Sequence, residues 1–299
     1  MPTIVDPPNK SEDPRSQGPD QFPAKTISNP GSESEMLQKP DHGENSYRGF
    51  GRLQDKVALI TGGDSGIGRA VAIAYAREGA DVAISYWNEH EDAQETERLV
   101  KDAGRRALLL PGDISEERQC VEIIQKTVAE FGRIDVLINN AAYQVTFDSI
   151  EDWPTDEWER TFRTNVHAIF WLCKAAVPHM KEGSSIINTA SIQGYKPNPQ
   201  LLAYAPTKAA IISFTKALSL QVTKKKGIRV NAVAPGPVWT PLIPASFDEE
   251  KVKSFGSDSE FGRAAQPAEM APAFVFLASN EAMYMTGEVL GLTGGKSPF

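Results

Sequence analysis

The chain has 299 residues, 40% of them hydrophobic, which is enough to build a large core. Its 31 Lys and Arg against 39 Asp and Glu give a net charge of −8, which argues against a nucleic-acid binder or a binder of anionic membranes, because both need concentrated positive charge. The two cysteines, Cys120 and Cys173, lie far apart and form no CxxC motif, so the sequence predicts neither a disulfide framework nor a metal site.

The first 50 residues differ in composition from the rest. They hold many prolines and charges and few apolar clusters, so they cannot bury enough surface to offset the entropy lost on ordering. We expect residues 1–50 to form a tail without a core of its own, either disordered or extended along the body or across a neighbouring subunit. Its candidate anchors are Phe22, Met36, Leu37, Tyr47 and Phe50. Residues 51–299 are predicted to form one domain.

Neither an export signal nor a membrane span is predicted. The start of the chain, Met1–Lys10, carries prolines and charges where a signal peptide needs an apolar stretch. No run approaches the ~20 apolar residues of a membrane span. The expected location is therefore the cytoplasm.

From Lys56 onward, short strand-like runs alternate with helical stretches. The predicted strands are Lys56–Thr61, Asp81–Tyr86, Arg106–Pro111, Ile134–Asn139, Ser185–Ala190, Ile228–Val233 and Glu288–Leu292. The predicted helices are Arg69–Gly79, Glu91–Ala103, Ser115–Phe131, Asp156–Met180 and Leu202–Lys225. Strands separated by crossover helices imply an α/β fold, a doubly wound parallel sheet of the Rossmann-like type with about seven strands.

A glycine-rich turn, TGGDSGIG over residues 61–68, lies between the first predicted strand and its helix. Glycines let the backbone approach a diphosphate, and a helix N-terminus offers free N–H donors and the positive end of its dipole. The strand–turn–helix context therefore predicts a dinucleotide site. Its expected contacts are Gly62, Asp64, Ser65, Gly66, Ile67 and Gly68.

Two further strand ends are expected at the same crevice, since ligands bind at the carboxyl ends of parallel strands. Asp113 follows the third strand, where its carboxylate can accept a hydrogen bond from an adenine amino group. Asn139–Ala142 ends the fourth strand with small residues that let the backbone approach a flat ring or a ribose. Taken alone, both features are also ordinary turn chemistry.

A tyrosine and a lysine four residues apart open the helix after the fifth strand. This spacing puts the phenol of Tyr204 and the ammonium of Lys208 on one helix face, where a cation is expected to lower the phenol's pKa. Such a tyrosine can give or take a proton as hydride moves to or from a carbonyl carbon. Ser191, at the end of the fifth strand, can donate a hydrogen bond to the same carbonyl oxygen.

Together these residues resemble the short-chain dehydrogenase/reductase superfamily in its single-domain form. The matching motifs are TGxxxGIG at 61–68, Asp113, NNAA at 139–142, Asn165, Ser191, YxxxK at 204–208 and NAVAPG at 231–236. The proline-rich extension followed by GRL and TGGDSGIGRA is similar to a subgroup described as general-stress or glucose/ribitol-type dehydrogenases.

The resemblance implies a role for each matching residue. Ser191, Tyr204 and Lys208 would form the catalytic group, Asn165 would hold a water in the proton relay, and Lys208 would also bond the nicotinamide ribose. The remaining cofactor contacts that it implies are Tyr86, Ile114, Asn140, Ala141, Pro235, Val238 and Thr240. The family usually assembles as a homotetramer through its two long helices, and apolar residues on a second face of those helices here favour a homo-oligomer.

The choice between NAD and NADP stays open. Tyr86 and Trp87 end the second strand, where relatives that prefer NAD carry an acid and many that prefer NADP carry an arginine. Ser65 occupies a position that is often arginine in relatives preferring NADP. Ala142 replaces the glycine most common there, an extra methyl that we expect to be tolerated.

The leading interpretation is an NAD(P)-dependent oxidoreductase that interconverts an alcohol and a carbonyl compound. The alternative is a nucleotide-binding protein for sensing or scaffolding, although such a protein needs no proton-transfer group. The substrate is expected to be a small aldehyde, ketone or sugar-type molecule beneath a lid within residues 246–262. Candidate substrate contacts are Gln144, Gln193, Tyr195 and Trp239.

Overall fold

The computed structural model describes residues 13–16, 18–19 and 21–296. Seven strands form one sheet in these ranges, in the order β3-β2-β1-β4-β5-β6-β7, and every neighbouring pair is parallel. The strands are β1 Val57–Thr61, β2 Asp81–Tyr86, β3 Ala107–Pro111, β4 Val136–Asn139, β5 Ser185–Thr189, β6 Arg229–Pro235 and β7 Val289–Leu292. This order confirms the predicted doubly wound α/β fold, with its crevice between β1 and β4, where the strand order reverses.

Helices cover both faces of the sheet. They are α1 Gly66–Arg77, α2 His90–Asp102, α3 Glu117–Phe131, α4 Thr155–Phe162, α5 Ala168–Ala176, α6 Tyr204–Lys226, α7 Leu242–Ser246, α8 Glu249–Lys253 and α9 Pro267–Ala278. Helices α1, α2 and α9 contribute to one apolar core and α3, α5 and α6 to another, with the sheet between them. Strands β1, β2, β4, β5 and β6 are buried throughout, as is typical of a parallel sheet covered on both faces.

Besides the short helices α7 and α8, which the sequence does not predict, two helical regions differ from the sequence expectation. The long helix predicted over 156–180 is divided into α4 and α5 by a π-helical turn, Arg163–His167. Helix α9 was not predicted at all, because its sequence has almost no polar face and therefore no helical periodicity. A capping box between Gln266 and Glu269 starts α9, and most of its residues are buried.

The described part of the tail lies along the body of the same chain. Phe22 stacks on Trp239 with ring centroids 3.8 Å apart, and Met36 is also buried, whereas Phe50 is 80% exposed. Farther along, the guanidinium of Arg77 on α1 donates to the backbone carbonyls of the tail residues 43, 44 and 47. The tail therefore gains order from the body rather than from a core of its own, and its contact with a neighbouring subunit stays a prediction.

The described ranges contain neither a membrane-spanning helix nor a metal-binding cluster. No helix there is both long and apolar enough to cross a bilayer. No group of three or more histidine, cysteine or acidic side chains in those ranges is arranged to hold a metal ion. Cys120 and Cys173 are buried free thiols, and burial raises the pKa of each to about 12.

Candidate active site

One cavity of about 620 Å³ opens at the carboxyl ends of the central strands. The predicted residues that line it are Gly62, Asp64, Ser65, Gly66, Ile67, Tyr86, Asp113, Ile114, Asn140, Ala141, Gln144, Ser191, Gln193, Tyr204, Lys208, Pro235, Val238 and Thr240. The predicted residues that do not line it are Gly68, Asn165, Tyr195 and Trp239. The expected dinucleotide turn and the expected catalytic group therefore share a single space.

The glycine-rich turn is shaped for close approach. Gly62 and Gly66 have positive φ angles of 60° and 49°, and a Cβ on Gly66 would lie 3.0 Å from Cγ2 of Thr240. A Cβ on Gly68 would lie 1.8 Å from the carbonyl oxygen of Gly62, so Gly68 serves helix packing behind the cavity wall. The resulting cradle at the start of α1 fits the diphosphate of a nicotinamide dinucleotide.

Asn140 ties the end of β4 to this turn. Its side-chain amide donates to the carbonyl oxygens of Thr61 and Gly62, each at 3.2 Å. The hydroxyl of Thr61 in turn accepts from the backbone N–H groups of Asn140 and Ala141. These bonds fix the floor of the cavity between β1 and β4.

Ser191, Tyr204 and Lys208 meet at the far end of the cavity. Tyr204 begins α6 and Ser191 lies just beyond β5, where its hydroxyl is near enough to the phenol to influence the phenol's pKa. Lys208 lies one helical turn later, with Nζ 5.2 Å from the centre of the Tyr204 ring. This Nζ donates to the carbonyl oxygen of Thr189 at 2.8 Å. The helical spacing thus brings the phenol and the amine together as the sequence predicted.

Burial dominates the titration of this group. Removal from water raises the pKa of Tyr204, and the nearby Ser191 hydroxyl offsets only part of that rise. Burial also lowers the pKa of Lys208 to about 7. The expectation that a neighbouring cation lowers the Tyr204 pKa is therefore wrong for the protein without cofactor. Burial excludes water from the site and disfavours both the phenolate of Tyr204 and the ammonium of Lys208.

We expect Lys208→Met to gain thermal stability relative to wild type as the pH falls. The pKa of Lys208 drops from 10.5 to about 7 on folding, so between these values the unfolded chain binds more protons and wild-type stability rises with pH. The full cost of burying the charge therefore applies below pH 7, and the variant does not carry it. Melting temperatures at pH 6 and pH 9.5 check this, and a difference between variant and wild type that does not vary with pH contradicts it.

Asn165 lies in the π-helical turn and is fully buried. Its Oδ1 accepts from the N–H of Tyr143 at 2.7 Å, and its Nδ2 donates to the Tyr143 carbonyl at 2.9 Å and to Thr207 Oγ1 at 3.2 Å. Asn165 thus fixes the loop after β4 against α6. A role in holding a relay water stays a prediction.

The structure places Trp239 and Tyr195 away from the cavity. Trp239 is 2% exposed, and its indole N–H donates to the carbonyl of Gln38 at 2.9 Å while its ring stacks on Phe22. Trp239 is therefore not available as a substrate contact, because the N-terminal tail covers it. Tyr195 packs against the apolar core formed by α3, α5 and α6.

Several cavity residues were missed by the sequence reasoning. Pro30 and Gly31 of the tail line the cavity, and no pattern in the sequence signals that this segment returns to the site. Arg160 also lines it, with its guanidinium 4.7 Å from the ring centre of Trp87 and 4.5 Å from that of Tyr143. A cation therefore lies near the end of β2, while Asp64 supplies an acid whose pKa burial raises to about 7. This mixture is compatible with NAD and with NADP.

Comparison with known proteins adds independent information. The family model described as enoyl-(acyl carrier protein) reductase matches residues 62–297. General stress protein 39 of Bacillus subtilis is 52% identical over 278 residues, which cover 93% of this chain and 97% of the relative. The chain belongs to the short-chain dehydrogenase/reductase family. Glucose and ribitol dehydrogenase of Daucus carota is 50% identical over 279 residues, covering 91% of this chain and 96% of the relative.

A solved structure agrees with this assignment. The short-chain dehydrogenase from Burkholderia cenocepacia J2315, crystallised in complex with NADP, matches with a TM-score of 0.77 and 32% identity, covering 82% of this chain and 99% of that chain. The family resemblance inferred from the motifs is confirmed, including its general-stress and glucose/ribitol-type subgroup. As a family member, the chain is an oxidoreductase that acts on CH–OH or carbonyl groups with NAD or NADP as cofactor.

Proposed function

We propose that this short-chain dehydrogenase/reductase interconverts an alcohol and a carbonyl compound through a proton relay of Ser191, Tyr204, Lys208 and Asn165. The observation that carries the proposal is that Ser191, Tyr204 and Lys208, the last one helical turn after Tyr204, line the same cavity as the dinucleotide turn. The alternative is a nucleotide-binding protein for sensing or scaffolding. Such a protein would not need Ser191, Tyr204 and Lys208 together in the cavity.

Each residue has a distinct task in the proposed reaction. In the direction of reduction, the Tyr204 phenol gives its proton to the carbonyl oxygen while the Ser191 hydroxyl donates a hydrogen bond to the same oxygen. Lys208 passes a proton from solvent on to the phenolate through its Nζ, which already donates to Thr189 at the cavity wall. Asn165 keeps the loop after β4 in place through its two bonds to Tyr143. A bound nicotinamide dinucleotide supplies or accepts the hydride.

We further propose that the substrate carries an oxygen function beyond its reacting carbonyl. Gln144 lines the cavity and is only 3% exposed, yet its Nε2 has no hydrogen-bond partner among the described residues. The backbone carbonyl of Gln144 is held by Ser246 of α7 at 3.1 Å. An unpaired buried donor is costly, and an acceptor oxygen on the ligand would satisfy it once the Gln144 side chain turns toward the cavity. The carrot relative's name, glucose and ribitol dehydrogenase, agrees with such a polyhydroxy substrate class.

A panel of hydroxyaldehydes and unsubstituted alkanals of equal chain length tests both parts. Activity with NADPH or NADH is read at the nicotinamide absorbance, and a higher kcat/KM is expected for the hydroxyaldehydes. We expect Gln144→Leu to lower the kcat/KM ratio of hydroxyaldehyde to alkanal about tenfold or more, because the buried donor is lost.

The matched control is Gln193→Leu. Gln193 also lines the cavity, but its Oε1 already accepts from the N–H of Asn198 at 2.7 Å. This variant is expected to affect both substrate classes alike. A Gln144→Leu ratio equal to wild type would refute the substrate class while leaving the oxidoreductase intact. Dinucleotide binding without turnover of any compound would favour the sensing or scaffolding alternative.

We also propose that the protein is a homo-oligomer, with the family's tetramer as the expected form. Phe170 on α5 is 49% exposed and Leu220 on α6 is 83% exposed, so these helices present apolar groups away from the core. Burial against a second copy would remove that surface from water. Light scattering at micromolar concentration tests this, and a monomer would refute it. The cytoplasmic location stays a prediction.

A further inference from the structure

The N-terminal tail reaches the dinucleotide turn through one buried carboxylate. Glu33 is 2% exposed, and its Oε1 accepts from the backbone N–H of Gly66 at 3.0 Å, at the first residue of α1. We propose that Glu33 is a positioning residue for the cofactor site, holding the turn at the start of α1 in the shape that binds a dinucleotide. The N-terminal tail then contributes directly to dinucleotide binding.

The turn is held at two points by a linked pair of side chains. Arg69, one helical turn into α1, donates from Nε to the carbonyl oxygen of Asp64 at 2.9 Å, and its guanidinium also pairs with Glu33. Glu33 in turn holds the N–H of Gly66. The backbone from Asp64 to Gly66 lines the cavity. Arg69 holds the carbonyl oxygen of Asp64, and Glu33 holds the N–H of Gly66.

Glu33 is itself fixed before any ligand binds. Its own N–H donates to Oδ2 of Asp92 on α2 at 2.9 Å, and the hydroxyl of Ser32 donates to the same oxygen at 3.1 Å. Just upstream, Gly31 lines the cavity, and a Cβ there would lie 2.8 Å from the carbonyl oxygen of Pro241. These contacts hold the backbone of the segment in place beside the turn. A shorter side chain at position 33 therefore cannot reach Gly66 by a shift of the backbone.

The local charges explain how a carboxylate can lie beside a diphosphate site. A buried anion at the start of α1 would repel a diphosphate unless cations offset it. Arg69 pairs with Glu33, and His42 places Nε2 2.7 Å from Glu33 Oε1. Burial acts to raise the pKa of Glu33, but His42 and Arg69 outweigh it and the pKa is lowered. Glu33 is therefore ionised, and Arg69 and His42 pair with it directly.

Two conservative variants distinguish the effect of the length of the Glu33 side chain from the effect of its charge. Glu33→Asp keeps the charge but withdraws the carboxylate by one methylene, so it loses the N–H of Gly66. Glu33→Gln gives up the charge but keeps an oxygen at the same reach. The control is Tyr47→Phe, which removes a 2.7 Å tail bond to Glu78 just beyond the opposite end of α1. Equilibrium binding of NAD and of NADP to each full-length variant is measured by calorimetry, together with the melting temperature.

We expect Glu33→Asp to raise the dinucleotide Kd about tenfold or more, the scale for losing a hydrogen bond to a charged group. Glu33→Gln should stay within about threefold of wild type, and Tyr47→Phe should leave the Kd unchanged even where it lowers the melting temperature. Equal losses of affinity in the Asp and Gln variants, or an unchanged Kd in Glu33→Asp, would overturn the proposal. Because binding is measured without turnover, the result does not depend on the proposed relay or substrate.

Discussion

Replacing Tyr204 by Phe is expected to lower kcat about 10²- to 10⁴-fold, the range contributed by a positioned acid or base. Tyr204 is only 8% exposed and its ring belongs to an apolar cluster with Leu201 and Ile243, so the ring of a phenylalanine fits the same space. Only the phenol oxygen is lost, and Ser191 cannot replace it as a proton donor at neutral pH. Initial rates in both reaction directions measure the effect.

The matched control for this variant is Tyr143→Phe. Tyr143 also lines the cavity, but its phenol already donates to Glu157 at 2.7 Å. We expect Tyr143→Phe to keep kcat within about threefold of wild type and Tyr204→Phe to keep its dinucleotide affinity. A Tyr204→Phe enzyme with a rate close to wild type would remove Tyr204 from the mechanism.

The strands and the helices between them follow from local sequence patterns. Runs such as Val57–Thr61 and Asp81–Tyr86 are buried on both faces and so carry few polar residues, which makes them visible as short apolar segments. Helix α9 escaped prediction for the same physical reason, since a helix buried on most sides has no polar face to mark its period. Periodicity detects partial burial and is lost when burial is complete.

Some residues of the candidate site were likewise predictable from the sequence and others were not. Residues at strand ends and helix starts, such as Gly66, Ser191 and Tyr204, were predictable because topology alone brings the ends of parallel strands together. The tail's contributions were not predictable. Glu33 reaches Gly66 across 33 positions in the chain, and Trp239 is removed from the cavity by stacking on Phe22. Such long-range pairs leave no local signal in one sequence.

The glycine at the start of α1 gives the second large effect, because its substitution changes the shape of the dinucleotide cradle itself. We expect Gly66→Ala to raise the Kd for NAD or NADP about 10- to 100-fold, which corresponds to about 1–3 kcal/mol of strain and displacement. Gly66 has φ of 49°, and its Cβ would lie 3.0 Å from Cγ2 of Thr240. Either the turn or Thr240 must move, and both line the cavity.

The control for backbone strain is Gly104→Ala. Gly104 also has a positive φ, 78°, but a Cβ there meets nothing within 4 Å, and this glycine does not line the cavity. Both variants carry the cost of a left-handed alanine, so both are expected to lose some melting temperature. Only Gly66→Ala should lose dinucleotide affinity in calorimetry. Equal affinities for the two variants would mean that the turn at residues 62–66 does not hold the diphosphate, and the assignment of the cofactor site to the start of α1 would fail.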